Sequence, residues 1–226
     1  MRRVLVICLL LALLVLAGFS WREESFRRKA AELPAPAVTK MPVNFAQRTF
    51  DPGNPPPDMP PMNPGENARC DTDFGSNAAL SGQPRRIDDT HAVLTITQIS
   101  VTLHLGIIIW VPVGVTQHVI EHEEGHRQIS EAYYQTADKI AGRIAATYVG
   151  KQVDVEGEDL NAASQAALKQ AAADITAEYN RELYAEPAQL LYDTITDHSR
   201  NEVVATDAVS HALKNVAIES PQPASP

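Results

Sequence analysis

From Val115 to Val149 the chain carries no proline, and Gly125 and Gly142 are the only helix-weakening glycines before Gly150. Proline removes a backbone donor and clashes with the preceding turn. Its absence, with Ile129, Tyr133, Ile140 and Ile144 recurring at helical steps, predicts one long helix here. The text before it has another character. "THAVLTITQISVTLHLGIIIWVPVGV" is dense in β-branched residues, with Val93, Thr95, Thr97, Ile99 and Val101 at period two. It predicts two strands, 91–103 and 105–112, with a turn or bulge around His104 and Gly106, ended by Pro112 and Gly114. After the helix come a loop, "GKQVDVEGED", with Asp159 as N-cap, then an alanine-rich helix over 160–185 that Pro187 breaks or kinks, and further helix over 188–216. Strands followed by helices make the expected fold class α+β: a small N-terminal β-sheet, a long helix, and antiparallel C-terminal helices.

The ends read differently. "MRRVLVICLLLALLVLAGFSW" has a basic start and an apolar run from Val4 to Phe19, the layout of an export signal. It is somewhat short of the roughly 20 apolar residues of a spanning helix. Residues 1–21 are therefore either a signal peptide, with Val15 and Ala17 as small residues before a cleavage point, or an inner-membrane anchor. Residues 22–67, rich in proline ("LPAPAVTKMP", "DPGNPPPDMPPMNPGEN"), are expected to be an extended tether. Residues 68–217 are expected to form one domain, and 218–226 a disordered tail. Cys70 is the only cysteine outside the apolar N-terminal run, which leaves no intramolecular disulfide once that run is removed. The net charge is −9, and the first 29 residues hold six basic side chains against two acidic ones, so the remainder is more acidic still. Such a balance repels phosphate backbones, and nucleic acid is excluded as a partner.

The chemistry is concentrated in "HVIEHEEGHRQISEAYY", residues 118–134. Within it His122, Glu123, Glu124, Gly125 and His126 form H-E-x-x-H. On a helix, side chains four apart stack on one face, so the two imidazoles can close on one ion while Glu123 stands beside them. Neutral imidazole suits Zn²⁺, and three protein ligands leave a fourth position open for water. The ion acidifies that water, and the adjacent carboxylate carries its proton. His118, one turn before His122, offers a second chelating pair, but only the His122–His126 pair has a glutamate beside its first ligand. His118 is then a flanking polar residue or a partner to a ligand.

A third ligand must come from elsewhere. The metzincin extension is absent, because Ile129 and Ala132 stand where its glycine and last histidine would be. The richest downstream cluster is "YDTITDHSRNEVVATD", with Asp193, Asp197, His198 and Glu202. His198 and Glu202 would share a face if the helix runs through them. The pair of segments, His122–His126 and Tyr192–His198, resembles a family of predicted bacterial secreted zinc-dependent proteases, which pair a "HE-x-gH" helix with a "YD-x-x-T-x-H-G" segment some seventy residues later. The match covers mainly residues 115–205, and Ser199 replaces the family's glycine.

That resemblance implies a zincin-like fold over 68–217 and makes His198 the third ligand. Glu202 is the second choice, since "NEVVATD" is similar to the glutamate-bearing helix of thermolysin-like enzymes, at a spacing one residue too long. Asp193 is an alternative ligand or a partner to one. As in zincins, an edge strand, 105–112, would hold the peptide by strand addition, and Tyr192 or Arg200 would stabilise an oxyanion. The expected function is a secreted, periplasmic or membrane-anchored zinc-dependent peptidase acting on peptide or protein substrates, with Glu123 as general base and acid. The alternative is a non-catalytic exported metal-binding or helical scaffold domain.

Overall fold

The computed structural model describes residues 33–62 and 65–219. The export or anchor segment 1–21 and the end of the tail lie outside the described residues. No helix among those described is long and apolar enough to cross a membrane. The fold is mixed α and β. Strands β1 (Ala37–Lys40), β2 (Asn44–Phe50), β3 (Arg69–Arg86) and β4 (His91–Pro112) precede helices α1 (Gln117–Gln135) and α2 (Ala137–Ala146). Strand β5 (Gln152–Glu156) and helices α3 (Leu160–Glu182), α4 (Glu186–Thr196) and α5 (Ala205–Glu219) follow.

All four other strands pair with β4. The expected break at His104–Gly106 does not occur, and β4 runs unbroken for 22 residues. What interrupts it is a slip in its alternation. Ala92, Leu94 and Ile96 face inward, then Ile99, Val101, Leu103, Leu105, Ile107 and Ile109 do, so two consecutive residues, Thr97 and Gln98, are not buried between the two sets. An extra residue of this kind is how a bulge shifts a strand's faces. The period-two series Val93 to Val101 therefore does not stay on one face.

The expected tether carries two strands. Between Pro42 and Pro52 the chain is free of proline, and there β2 pairs in parallel with β4, from Asn44 opposite Gly106 to Phe50 opposite Pro112. Proline cannot donate to a ladder, so the strand fits within this gap. Strand β3 was not expected at all. Its aspartates, asparagine, serines and glycines have poor strand propensity, which pairing with β4 overrides. The expected loop at 150–159 likewise contains β5, antiparallel to β4 over His91–Thr95.

The single long helix divides. Thr136 closes α1, its N–H reaching the carbonyls of Tyr133 and Tyr134. Lys40 Nζ of β1 takes the Gln135 carbonyl at 3.1 Å, a cation capping a helix C-terminus. The Tyr134 hydroxyl lies 3.0 Å from the Leu103 carbonyl and 2.9 Å from that of Met41, pinning this end of α1 to the sheet. The other end is seated by Val115, Val119 and Ile120 on Ala68, Ile109 and Val111. The C-terminal helical stretch also divides, into α4 with Pro187 in its first turn and α5, separated by residues 197–204.

Contacts sort the chain into two compact units. One comprises residues 33–37, 79–99 and 145–172. Its core includes Leu94, Ile96, Val155 and Leu168, and Asp159 caps α3 as expected, Oδ1 accepting the N–H of Asn161 at 2.9 Å and of Ala162 at 3.1 Å. The other unit holds the rest. In it α1, α4 and α5 share a core of Ile129, Ala188, Tyr192, Ala208, Val209 and Ala212. Burying each large apolar side chain is worth about 1.5–3 kcal/mol.

Helix α4 ends in an unusual turn. Asp197, His198 and Ser199 take φ of 47°, 51° and 65°, left-handed values that cost an L-residue roughly 1–2 kcal/mol each. Ser199→Gly is therefore expected to stabilise the protein by about 0.5 kcal/mol, relief of strain outweighing the added freedom of the unfolded chain, whereas Ser199→Val should destabilise it by more than about 1 kcal/mol. Urea unfolding of the two variants checks both signs.

Candidate metal centre

Helix α1 presents His122, Glu123 and His126 to the wall of a cavity of about 910 Å³. Its other walls come from residues 65–72 and Phe74 at the start of β3, from Asn180 and residues 183–185 around the end of α3, and from α4 with the turn after it. Three donor atoms converge there. His126 Nε2 lies 3.2 Å from His122 Nε2, and Asp193 Oδ1 lies 3.0 Å from His126 Nε2 and 3.3 Å from His122 Nε2. Among the described residues this His122–His126–Asp193 group is the one cluster of such side chains that could hold a metal ion. Ligands about 2.0–2.1 Å from a tetrahedral ion stand roughly 3.3–3.4 Å apart. The observed separations are close to that, and the donor set fits a metal.

The hydrogen bonds around His126 sharpen the point. Gln189 Nε2 donates to the His126 carbonyl at 3.1 Å and to Ser130 Oγ at 3.0 Å, which assigns its amide orientation. Gln189 Oε1 must then accept from His126 Nδ1–H, at 2.6 Å. Neutral His126 thus has a bare lone pair at Nε2, facing the Asp193 carboxylate and the other imidazole. Lone pairs in that arrangement repel unless a proton or a metal ion lies among them. Burial would lower the pKa of His126, but the hydrogen bond and charge of Asp193 raise it overall. His122 moves the other way, lowered chiefly by burial. Burial would likewise raise the Asp193 carboxyl, yet its bonds to the two histidines hold it well below the usual carboxylate range.

Tyr192 sets this geometry. Its hydroxyl donates to the His122 carbonyl at 3.0 Å, its ring stacks on His122 at 5.1 Å and 21°, and it meets His126 edge-on at 4.9 Å. A Cβ at Gly125 would lie 2.2 Å from the Tyr192 oxygen. The glycine of H-E-E-G-H is thus the place where the tyrosine crosses the helix. Tyr192 is fully buried with its hydroxyl committed, so it does not serve as the expected oxyanion donor.

Glu123 is 6% exposed, accepts the Cys70 backbone N–H, and burial pushes its carboxyl up to about 7. Glu124 points elsewhere. Its carboxylate is held by Arg127 Nε at 2.8 Å, and Arg127 also pairs with Glu131 and stacks on Phe45 of β2. Burial and the neighbouring Glu123 charge push the Cys70 thiol up to about 12, which suits an inert thiol.

The expected third ligand, His198, stands outside this cluster. His198 is exposed, and its Nδ1 stands 3.6 Å from Asp193 Oδ1, beyond hydrogen-bond reach. The reason is local: α4 stops at Thr196, and the left-handed turn carries His198 to the cavity mouth while Asp193, still helical, faces the histidines. Glu202 is exposed in the non-helical stretch 197–204, so the face it was to share with His198 does not exist. His118 is outside the cluster, and its Nε2 is buried without a partner among the described residues. The residues that sequence reasoning missed are Gln189 and Ser130. Gln189 lies one helical turn before Asp193, a spacing that puts both on one face of α4.

No protein-family model matches this chain, and no curated protein or solved structure matches it either.

Gly125→Ala is expected to destabilise the protein by about 1–3 kcal/mol and to abolish metal uptake, although alanine is the better helix former, because the new methyl displaces the Tyr192 ring. Gln189→Leu should keep the fold and weaken metal binding about 10- to 100-fold. Thermal melting with competitive chelator titration checks both.

Proposed function

We propose that this chain is an exported zinc-dependent peptidase of the zincin type, with His122, His126 and Asp193 holding the metal and Glu123 as general base and acid. The observation that carries the reading is the convergence of three lone-pair donors at tetrahedral spacing beside a buried glutamate that lines the same cavity. Zinc in such a site supplies Lewis acidity and makes a water acidic near neutral pH. The chain's own residues do the rest. Gln189 fixes the His126 tautomer so that Nε2 is free to ligate. The Glu123 carboxylate takes a proton from the attacking water and delivers it to the departing amine nitrogen. Its buried position keeps bulk water from competing for that proton.

Substrate binding is assigned to β3. The stretch 105–112, expected to hold the peptide, is the centre of the sheet, paired with β2 throughout Gly106–Pro112. Strand β3 pairs only with β4 among the described residues, and its residues Arg69–Thr72 and Phe74 line the cavity. Backbone groups on an unpaired strand edge hold an extended peptide of any sequence. The export assignment rests on the layout of residues 1–21.

Purified full-length protein is expected to carry close to one equivalent of zinc by plasma mass spectrometry and to cleave a denatured protein substrate. Glu123→Gln should retain the zinc and lose at least about a hundredfold in turnover, Asp193→Ala should lose the zinc, and His198→Ala should keep it. Zinc retained with no hydrolysis by the unaltered protein would favour a non-catalytic metal-binding domain instead.

A further inference from the structure

The charged side chains on the cavity wall are mostly acidic, with Glu66, Asp71, Glu123, Glu186 and Asp193 set against Arg69 and Arg200. Arg69 is occupied, Nη1 donating to the Pro61 carbonyl at 2.9 Å and Nη2 standing 3.8 Å from Asp71 Oδ1. The Arg200 side chain is exposed at the rim of the cavity. It is nonetheless in a defined place. Its Nη2 lies 3.3 Å from where a Cβ on Gly65 would stand, so it reaches from the turn after α4 toward the segment that enters β3.

The backbone that carries it is held by specific bonds. The His198 N–H donates to the Asp193 carbonyl at 3.1 Å, and the Arg200 N–H to the Asp197 carbonyl at 3.0 Å. Asn201 Nδ2 donates to the Ile195 carbonyl at 2.9 Å, and Asn201 Oδ1 accepts the Val203 N–H at 3.1 Å. Three consecutive left-handed residues persist only where the surroundings over-determine them. The result is a cation set at the mouth of the cavity a few residues from the metal donor Asp193.

We propose that Arg200 is the specificity-determining residue of this site and receives a carboxylate of the substrate. This rests on the hydrolase reading above. The planar guanidinium fork matches a carboxylate in two parallel hydrogen bonds. Apart from the metal donors and the engaged Arg69, the charged groups on these walls are mostly acidic, which leaves Arg200 as the cation best placed to meet a substrate carboxylate. That carboxylate is either the C-terminus of a peptide, which would make the enzyme trim chain ends, or an acidic side chain near the scissile bond.

The test uses full-length, zinc-loaded Glu123→Gln protein, which binds without turnover, in calorimetric titrations with three acetylated tripeptides. These are Ala-Leu-Ala with a free terminal carboxylate, the same peptide amidated, and amidated Ala-Leu-Glu. At least one carboxylate-bearing peptide is expected to bind roughly tenfold tighter than the neutral amide. The one that does identifies the carboxylate's source. Adding Arg200→Gln should bring the ratio near one with zinc content and melting temperature unchanged, and Arg200→Lys should give an intermediate ratio.

Equal affinity for all three peptides, or binding by none, overturns the proposal. So does a preference that survives Arg200→Gln, since the metal or another group would then hold the carboxylate. Failure of the hydrolase reading shows separately, as absent zinc or absent turnover in the unaltered protein. If no zinc is taken up, the same titrations on metal-free protein read the Arg200 contribution alone.

Discussion

The contact between Tyr192 and Gly125 organises the rest of the site. A tyrosine ring fully buried between helices must find an acceptor for its hydroxyl, and here that acceptor is the His122 carbonyl. Reaching it requires the ring to lie against α1 where no side chain intervenes, at a glycine. Once the ring is there, the neighbouring positions on α4 have little freedom. Asp193, next in sequence, arrives at the two Nε2 atoms, and Gln189, one turn earlier, arrives at His126 Nδ1. One aromatic contact thereby sets the orientation of both imidazoles and delivers the third donor and its supporting amide.

The arrangement suits a cation. Two imidazole nitrogens and a carboxylate oxygen stand within 3.3 Å of one another, and the two histidines hold the Asp193 carboxyl well below the usual carboxylate range. A metal ion bound there would join α1 to α4, so its binding free energy would also be folding free energy for the three-helix core of Ile129, Tyr192 and Val209. Metal binding and stability would then draw on the same three side chains.

The sheet contributes position. Val119 and Ile120 seat the start of α1 on Ile109 and Val111, while Tyr134 and Lys40 fasten its end. With both ends tied, the face bearing His122 and His126 is turned toward the start of β3. Thr72 of β3 lies 3.4 Å from Ser130, which in turn accepts from Gln189, so the start of β3 is linked to the hydrogen-bond network around His126. The left-handed turn after α4 adds what a helix could not, a sharp change of direction that moves His198 out and leaves Asp193 in.

Read from residues alone, the H-E-x-x-H spacing identified His122 and His126 as a converging pair, because four residues of helix fix that geometry locally. The α+β class, the Asp159 cap and the extent of α3 were legible for the same reason: each follows from periodicity or capping within a short window. The parallel pairing of β2 with β4 was not, since it joins residues some sixty positions apart and proline-rich surroundings disguised it. Nor was β3, whose polar and small residues form a strand only because a partner is already there. The choice of Asp193 over His198 lay furthest from view. It turned on where α4 ends, a matter decided by left-handed dihedrals at three non-glycine residues and by a tyrosine packed against a glycine 67 positions earlier. Local spacing determined which side chains can meet within one element, and only packing between elements decided which partner completes them.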